Sequence, residues 1–199
     1  MDAAHAEFTE RGYHDTTMAA IAERAGVAVQ TVYLGFRTKS GLLEEVVGNA
    51  VLGRTREGED GPPEDTEGFA RALAEPDGRK ALALWVDMAL PVYARTSAIS
   101  DAGRSAYLTD PEVAEWWSRS EALRVAGCVH FVQALADHGA LRPALSVAEA
   151  ADILAMTLSP QTFLAFTLER GWTVDRLGAW LKDALPRLLV DESGPGTPR

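Results

Sequence analysis

Gln30, Thr31, Tyr33, Arg37 and Lys39 fall within one short run, AVQTVYLGFRTK, that spans Ala28 to Lys39. Their chemistry is that of recognition. A Gln amide carries a donor and an acceptor side by side and pairs bidentately with an adenine edge. Hydroxyls and cations hold phosphate oxygens. No acid, thiol or imidazole stands among them to serve as nucleophile or general base. Elsewhere the chain holds no G-x-S-x-G, H-E-x-x-H, phosphate-loop or dinucleotide-binding glycine pattern. Cys128 and His130 form a bare C-x-H pair, too sparse for a metal site. Neither an enzyme nor a cofactor is expected.

Side chains of this kind act only when a rigid element presents them. Met18, Ile21, Ala22, Ala25, Val27 and Val32 recur as the apolar inner side of two short helices. The first of the pair opens at Thr16 or Thr17 and runs to about Ala25; the second covers about Val29 to Phe36. Gly26 lies between them, where the chain must turn sharply and positive φ is needed. Two helices crossing at roughly 90–120° around a glycine turn make a helix-turn-helix, whose second helix enters the DNA major groove. Its exposed residues would be Ala28, Val29, Gln30, Thr31 and Leu34, with the Tyr33 hydroxyl also outward. A helix before the pair runs from about Ala3 to Arg11 and stops at Gly12. A helix after it starts near Thr38 or Ser40 and runs to about Arg56. Thr17 and Lys39 lie at helix starts, where backbone N–H groups add to a phosphate site.

Charge agrees with a local site on an acidic body. The 199-residue chain has a formal charge of −10, which argues against a surface that binds nucleic acid throughout. Residues 17–39 nevertheless hold Arg24, Arg37 and Lys39 against Glu23 alone, whereas residues 1–16 hold Asp2, Glu7, Glu10 and Asp15 against Arg11. With 47% hydrophobic residues the chain can bury a core. Its single cysteine excludes an internal disulfide and fits a reducing cytoplasm. Neither a signal-peptide pattern nor an apolar run of membrane-spanning length is present, so a cytoplasmic location without membrane contact is expected.

The run F-x-E-R-G-Y-x-x-T-T-M-x-x-I-A-E-R-A-G-V-x-x-x-T-V-Y-x-x-F-x-x-K-x-x-L-L, from Phe8 to Leu43, resembles the TetR (tetracycline-repressor-like) family of transcription regulators. The run DILAMTLSPQTFLAFTLERGW (Asp152–Trp172) and the amphipathic helix after it match more loosely. The resemblance implies an all-α homodimer, with a three-helix DNA-binding domain and a larger domain that binds a small molecule. It also implies repression of transcription and release from DNA when the effector binds. By position, Thr17, Tyr33 and Lys39 match the family's phosphate contacts, and Gln30 and Thr31 match positions that often face bases. Gly35 departs from the pattern, since the family often has His two residues after that Tyr. Residues before the first helix, often basic in the family, are nearly absent ahead of it here.

These readings divide the chain into a helix-turn-helix domain over 1–45, a helical ligand-binding and dimerisation domain over 46–190, and a disordered tail over 191–199. Residues 57–68, EGEDGPPEDTEG, read as a solvated linker. Beyond it, helices are expected near Gly78–Ala98 with a bend at Pro91, from Asp110-Pro111 to about His138, from Ser146 with Glu149 as a capping box, and from about Val174 to Leu189. Ser159-Pro160 either kinks or restarts the third of these. Trp85, Asp87, Met88, Tyr93, Trp116, Trp117, Phe131 and Phe163 are candidates to line a largely apolar effector pocket, with a packed core as the simpler reading of each. Trp116 and Trp117 are neighbours and diverge by about 100° on a helix, so at most one faces a given pocket. Leu177, Trp180, Leu181, Ala184 and Leu188 form one stripe of the last helix. With Phe163 and Phe166 they read by themselves as an intrachain core; the family resemblance implies instead a dimer interface, and two-fold pairing then implies a palindromic double-stranded operator. The competing reading is a ligand-binding helical dimer that has lost DNA recognition.

Overall fold

The computed structural model describes residues 1–52 and 67–191. The chain folds into helices α1 (Asp2–Asp15), α2 (Met18–Ala25), α3 (Val29–Gly35), α4 (Lys39–Leu52), α5 (Glu67–Ala74), α6 (Gly78–Ala106), α7 (Pro111–Asp137), α8 (Val147–Thr157), α9 (Pro160–Leu164) and α10 (Val174–Leu189). One π-helical turn, Ala165–Glu169, follows α9. The architecture is all-α: among the described residues the sole β-type pairing is one isolated bridge, Leu141 to Val190. The acidic linker up to residue 66, the continuation of α4 toward Arg56 and the tail beyond Asp191 lie outside the described residues.

Local chemistry explains most helix ends. Gly12 takes φ +76° inside α1, so regular helix stops there and Tyr13–Asp15 form a bent final turn. The Thr17 hydroxyl accepts the Ala20 N–H at 3.1 Å and caps α2. Asp110 caps α7, accepting the Glu112 N–H at 3.0 Å and the Val113 N–H at 3.3 Å. Ser146 and Glu149 form the reciprocal capping box of α8. At Ser159-Pro160 the chain restarts: Ser159 accepts the Thr162 N–H at 3.1 Å, and Pro160 is the first helical residue of α9. Two features depart from the expected course. α5 is an added helix, held by Phe69 and Ala72. α6 continues past Ala98 to Ala106.

Contacts divide the chain into two compact units. The first holds the described part of 1–59 together with Arg95–Glu121, and the second holds the rest. The unit around the helix-turn-helix is thus larger than residues 1–45, because the end of α6 and the start of α7 complete its core. Phe8, Leu42 and Leu43 are buried with Ile99, Ala102, Ala106, Val113 and Trp116. The second unit has its own core, in which Leu82, Trp85, Val86, Phe131, Leu135, Leu154, Leu181 and Leu185 pack together.

Polar links tie α4 into the first unit. The Lys39 ammonium donates to the Tyr13 carbonyl at 2.7 Å and the Thr16 carbonyl at 3.0 Å, and lies 4.1 Å from the centre of the Tyr13 ring. The Tyr13 hydroxyl donates to Asp110 Oδ2 at 2.5 Å, and the Ser40 hydroxyl donates to Glu112. Arg119 pairs with Glu44 at 3.0 Å. The Arg95 guanidinium donates to the Ala50 and Val51 carbonyls at 2.7 and 3.1 Å, near the last described turn of α4.

Ile99 is fully buried in the first unit. Ile99→Ala should lower the stability of that unit by roughly 2–5 kcal/mol through lost burial and the cavity left behind. Urea unfolding followed by helical circular dichroism checks this, and an unchanged first transition would remove α6 from that core. Asp110 gives a pH-dependent counterpart. The Tyr13 hydroxyl, then the Val113 and Glu112 N–H groups and the Lys39 charge, hold its carboxyl below the usual range against the opposing effect of burial. A depressed carboxyl stabilises the fold fully above its unfolded value of about 4, and this is lost as pH falls through the folded value. Asp110→Asn keeps a helix cap but not the charge. Its stability deficit, on the order of 1 kcal/mol at neutral pH, should shrink below about pH 4; a deficit constant down to pH 3 would contradict the assignment.

Candidate nucleic-acid interface

The turn between α2 and α3 has the closed geometry the glycine implied. Gly26 lies in the left-handed region at φ +68°, and its N–H reaches the Glu23 carbonyl at 3.1 Å. The Val27 N–H returns to the Ala22 carbonyl at 3.0 Å, so the end of α2 is satisfied by the turn itself. Met18, Ile21, Ala22 and Val32 are buried as expected of an inner side. Ala25 and Val27 are exposed instead, Val27 by 44%, since both have turned past the crossing point.

This arrangement leaves one side of α3 open. Gln30, Thr31 and Tyr33 are exposed, as is Ala28 just ahead of the helix. Val29 is half-buried and packs against the core with Phe36, so it seats the helix as much as it presents a surface. Gly35 has ordinary backbone angles, and a Cβ placed there would meet nothing within 4 Å. Its departure from the family pattern therefore reflects no steric demand of the fold.

Cations are fewer here than composition indicates. Arg24 forms two hydrogen bonds to the Glu10 carboxylate, at 3.0 and 2.5 Å, and its Nε lies 3.0 Å from Glu7. Glu7 is itself buried and also pairs with Arg11 at 3.3 Å. The hydrogen bond from Arg24 holds the Glu10 carboxyl below its usual range. Arg24 therefore joins α2 to α1, and the charge it carries is answered within the fold. Arg37 is exposed. Lys39 is half-buried on the α1 carbonyls, and that burial lowers its pKa while the charges of Asp110 and Asp15 oppose the shift. The Thr17 hydroxyl is exposed and uses a lone pair for its cap, so its proton remains available to an acceptor.

The candidate pocket residues do not share one site. Trp85 stacks on Phe131 at 4.3 Å and meets Phe69 at 5.4 Å, with Phe163 buried in the same core. Met88 and Tyr93 pack at its margin, and the Tyr93 hydroxyl donates to the Leu158 carbonyl at 3.0 Å. Asp87 is exposed and pairs with Lys182 at 2.5 Å, facing away from that core. Trp116 and Trp117 belong to the first unit, because α7 contributes its first turns there. The Trp116 indole N–H is buried without a hydrogen-bond partner. Among the described residues no cluster of His, Cys, Asp or Glu could hold a metal ion, and no helix is long and apolar enough to cross a membrane.

The expected interface stripe also divides. Phe163, Leu177 and Leu181 are buried within the protomer's own core. Phe166 and Ala184 are half-buried, while Trp180 and Leu188 are exposed by 36% and 42%. Sequence reading had not included Trp172, which packs on Phe166 at 4.6 Å and carries the Arg176 guanidinium on its face at 4.0 Å. Leu168, on the same segment as Phe163 and Phe166, is exposed. The π-helical turn that shifts this register has no periodic signature from which it could have been read.

Residues 1–46 match the family model described as bacterial regulatory proteins, tetR family. No curated protein matches. Among solved structures, a putative transcriptional regulator from Saccharomonospora viridis, determined in complex with choline, is 18% identical with a TM-score of 0.74, over 96% of this chain and 95% of that one. NalD, the secondary repressor of the MexAB-OprM multidrug efflux pump in Pseudomonas aeruginosa, is 23% identical with a TM-score of 0.69, over 96% and 93%. The TetR-family regulator PfmR from Thermus thermophilus is 18% identical with a TM-score of 0.71, over 94% and 96%. Residues 1–46 thus match the tetR family model, and nearly the whole chain has the fold of these solved regulator structures.

Proposed function

We propose that this protein is a cytoplasmic DNA-binding transcription regulator, a repressor that leaves a palindromic operator when a largely apolar small molecule binds its second unit. The observation that carries this reading is the open side of α3. It presents Gln30, Thr31 and Tyr33 from a helix seated on a buried core and set by a glycine turn. In this reading Gln30 and Thr31 meet base edges, with Ala28 and Val29 at the start of the helix beside them. Thr17, Tyr33, Arg37 and Lys39 meet phosphates. Trp85, Met88, Tyr93, Phe131 and Phe163 supply the apolar wall of the effector site, by repacking around the compound. Phe166, Trp180, Ala184 and Leu188 face a second copy. The naming of NalD as a repressor, and of the Saccharomonospora regulator as a choline complex, supports repression and small-molecule binding on this fold.

Selection from a random duplex library at moderate salt tests the core of the proposal, and a recovered palindrome is the expected outcome. On that site Gln30→Ala should change base preference, and Arg37→Ala, at an exposed cation, should weaken all sequences alike. With Arg37 and Lys39 as the cationic contacts of each protomer, the log–log salt slope should be about −4. A slope near −8 would show that further cations engage. Recovery of no site at any salt concentration would leave the ligand-binding dimer without DNA recognition as the better reading, which the neutralised Arg24 favours.

The dimer has its own test. Trp180→Asp should give a folded monomer by sedimentation velocity and lower operator affinity at least tenfold, since a two-fold site needs two recognition helices. A variant that remains dimeric would move the interface away from α10.

A further inference from the structure

Leu34 is 88% exposed, more than any other large apolar side chain among the described residues. Single exposed leucines are ordinary on a protein surface; the position of this one is not. It lies on α3 one turn beyond Gln30 and next to Tyr33, on the side of the helix that the core leaves open. The fold does not need it, because Val32 is buried and Val29 and Phe36 pack inward to seat the helix. Its neighbour Gly35 has no side chain to cover it. An isobutyl group is therefore held in water on the surface that carries the polar recognition residues.

The floor of the major groove offers one apolar group, the C5-methyl of thymine. We propose that Leu34 is a specificity-determining residue that packs against a thymine methyl in each half-site. This rests on the reading that α3 enters the major groove. Gln30 and Leu34 are four residues apart, a rise of about 6 Å along the helix. Base pairs are spaced about 3.4 Å, so the thymine belongs one or two pairs from the base that Gln30 reads. The residue adds no charge and forms no hydrogen bond. It discriminates by favouring a methyl and by leaving cytosine's amino group without a partner.

The test uses the intact protein and the palindrome it selects. Each thymine is replaced in turn by deoxyuridine, which lacks only the methyl, and affinity is read by fluorescence anisotropy. One thymine in each half-site should stand out: losing its methyl should weaken the wild-type protein about fourfold per half-site. Leu34→Ala should bind the thymine and deoxyuridine duplexes equally, and repeated selection with it should lose preference at that position alone. Leu34→Met should restore the methyl dependence. The side chain is exposed, so the thermal transition of each variant should match that of the wild type. A Leu34→Ala protein with the wild-type response to deoxyuridine would overturn the assignment, as would loss of all binding with no rescue by Leu34→Met. If the wild-type protein selects no duplex, the regulator reading falls, and this assignment with it. If it selects a palindrome indifferent to every thymine methyl, only the assignment of Leu34 falls.

Discussion

A helix that ends inside a fold leaves carbonyls without donors, and α1 ends beneath the recognition turn. The Lys39 ammonium answers this, donating to the Tyr13 and Thr16 carbonyls from the first residue of α4. The cation also lies over the Tyr13 ring, whose hydroxyl reaches the residue that caps α7. One half-buried ammonium thus links the end of α1, the entry to α2 and the start of α4, and through Tyr13 it joins them to α7. Burying the charge is tolerable because carbonyls, an aromatic face and the nearby carboxylates of Asp110 and Asp15 replace water.

The same economy of cations shapes the recognition surface. Glu7 and Glu10 on α1 take up Arg24 on α2, so an interaction that brings the two helices together also removes charge from the region. A weakly cationic interface on an acidic chain has little nonspecific attraction for phosphate. Discrimination then has to come from the groups that meet bases, and the exposed side of α3 has both polar and apolar ones in Gln30, Thr31 and Leu34. On the proposed reading, this is how a chain with a formal charge of −10 would carry a nucleic-acid surface. The acidic body opposes indiscriminate adhesion, while a small site relies on shape and direct readout.

Features set by local chemistry were legible in the sequence. Thr17 as a cap, Gly12 and Gly26 at positive φ, Asp110-Pro111 opening α7 and the Ser146–Glu149 capping box each depend on a few neighbouring residues. Features set by distant partners were not. Nothing near Arg24 announces that Glu7 and Glu10 will neutralise it, nor does anything near Trp116 announce a place beside Phe8 and Leu43. The extension of α6 was hidden for a related reason. Its last turns hold Ser97, Ser100, Gly103 and Ser105, residues of weak helix propensity. Yet Gly103 is small because the Trp117 ring crosses there: a Cβ would come within 3.2 Å of it. A residue that looks like a helix breaker is a packing residue.

α6 gives these separate facts a common mechanical setting. One continuous helix carries Trp85 in the core of the second unit and Ile99 in the core of the first. Between them is Pro91, which has no N–H for the Asp87 carbonyl and so removes one rung of the helical ladder. Just beyond that point Arg95 holds the Ala50 and Val51 carbonyls of α4. α4 begins at Lys39, the residue that closes α1. Within the first unit, Arg95 on α6 and Lys39 at the start of α4 thus each hold backbone carbonyls of an element distant in sequence. Both links are charge-assisted hydrogen bonds to backbone carbonyls, stronger than neutral ones.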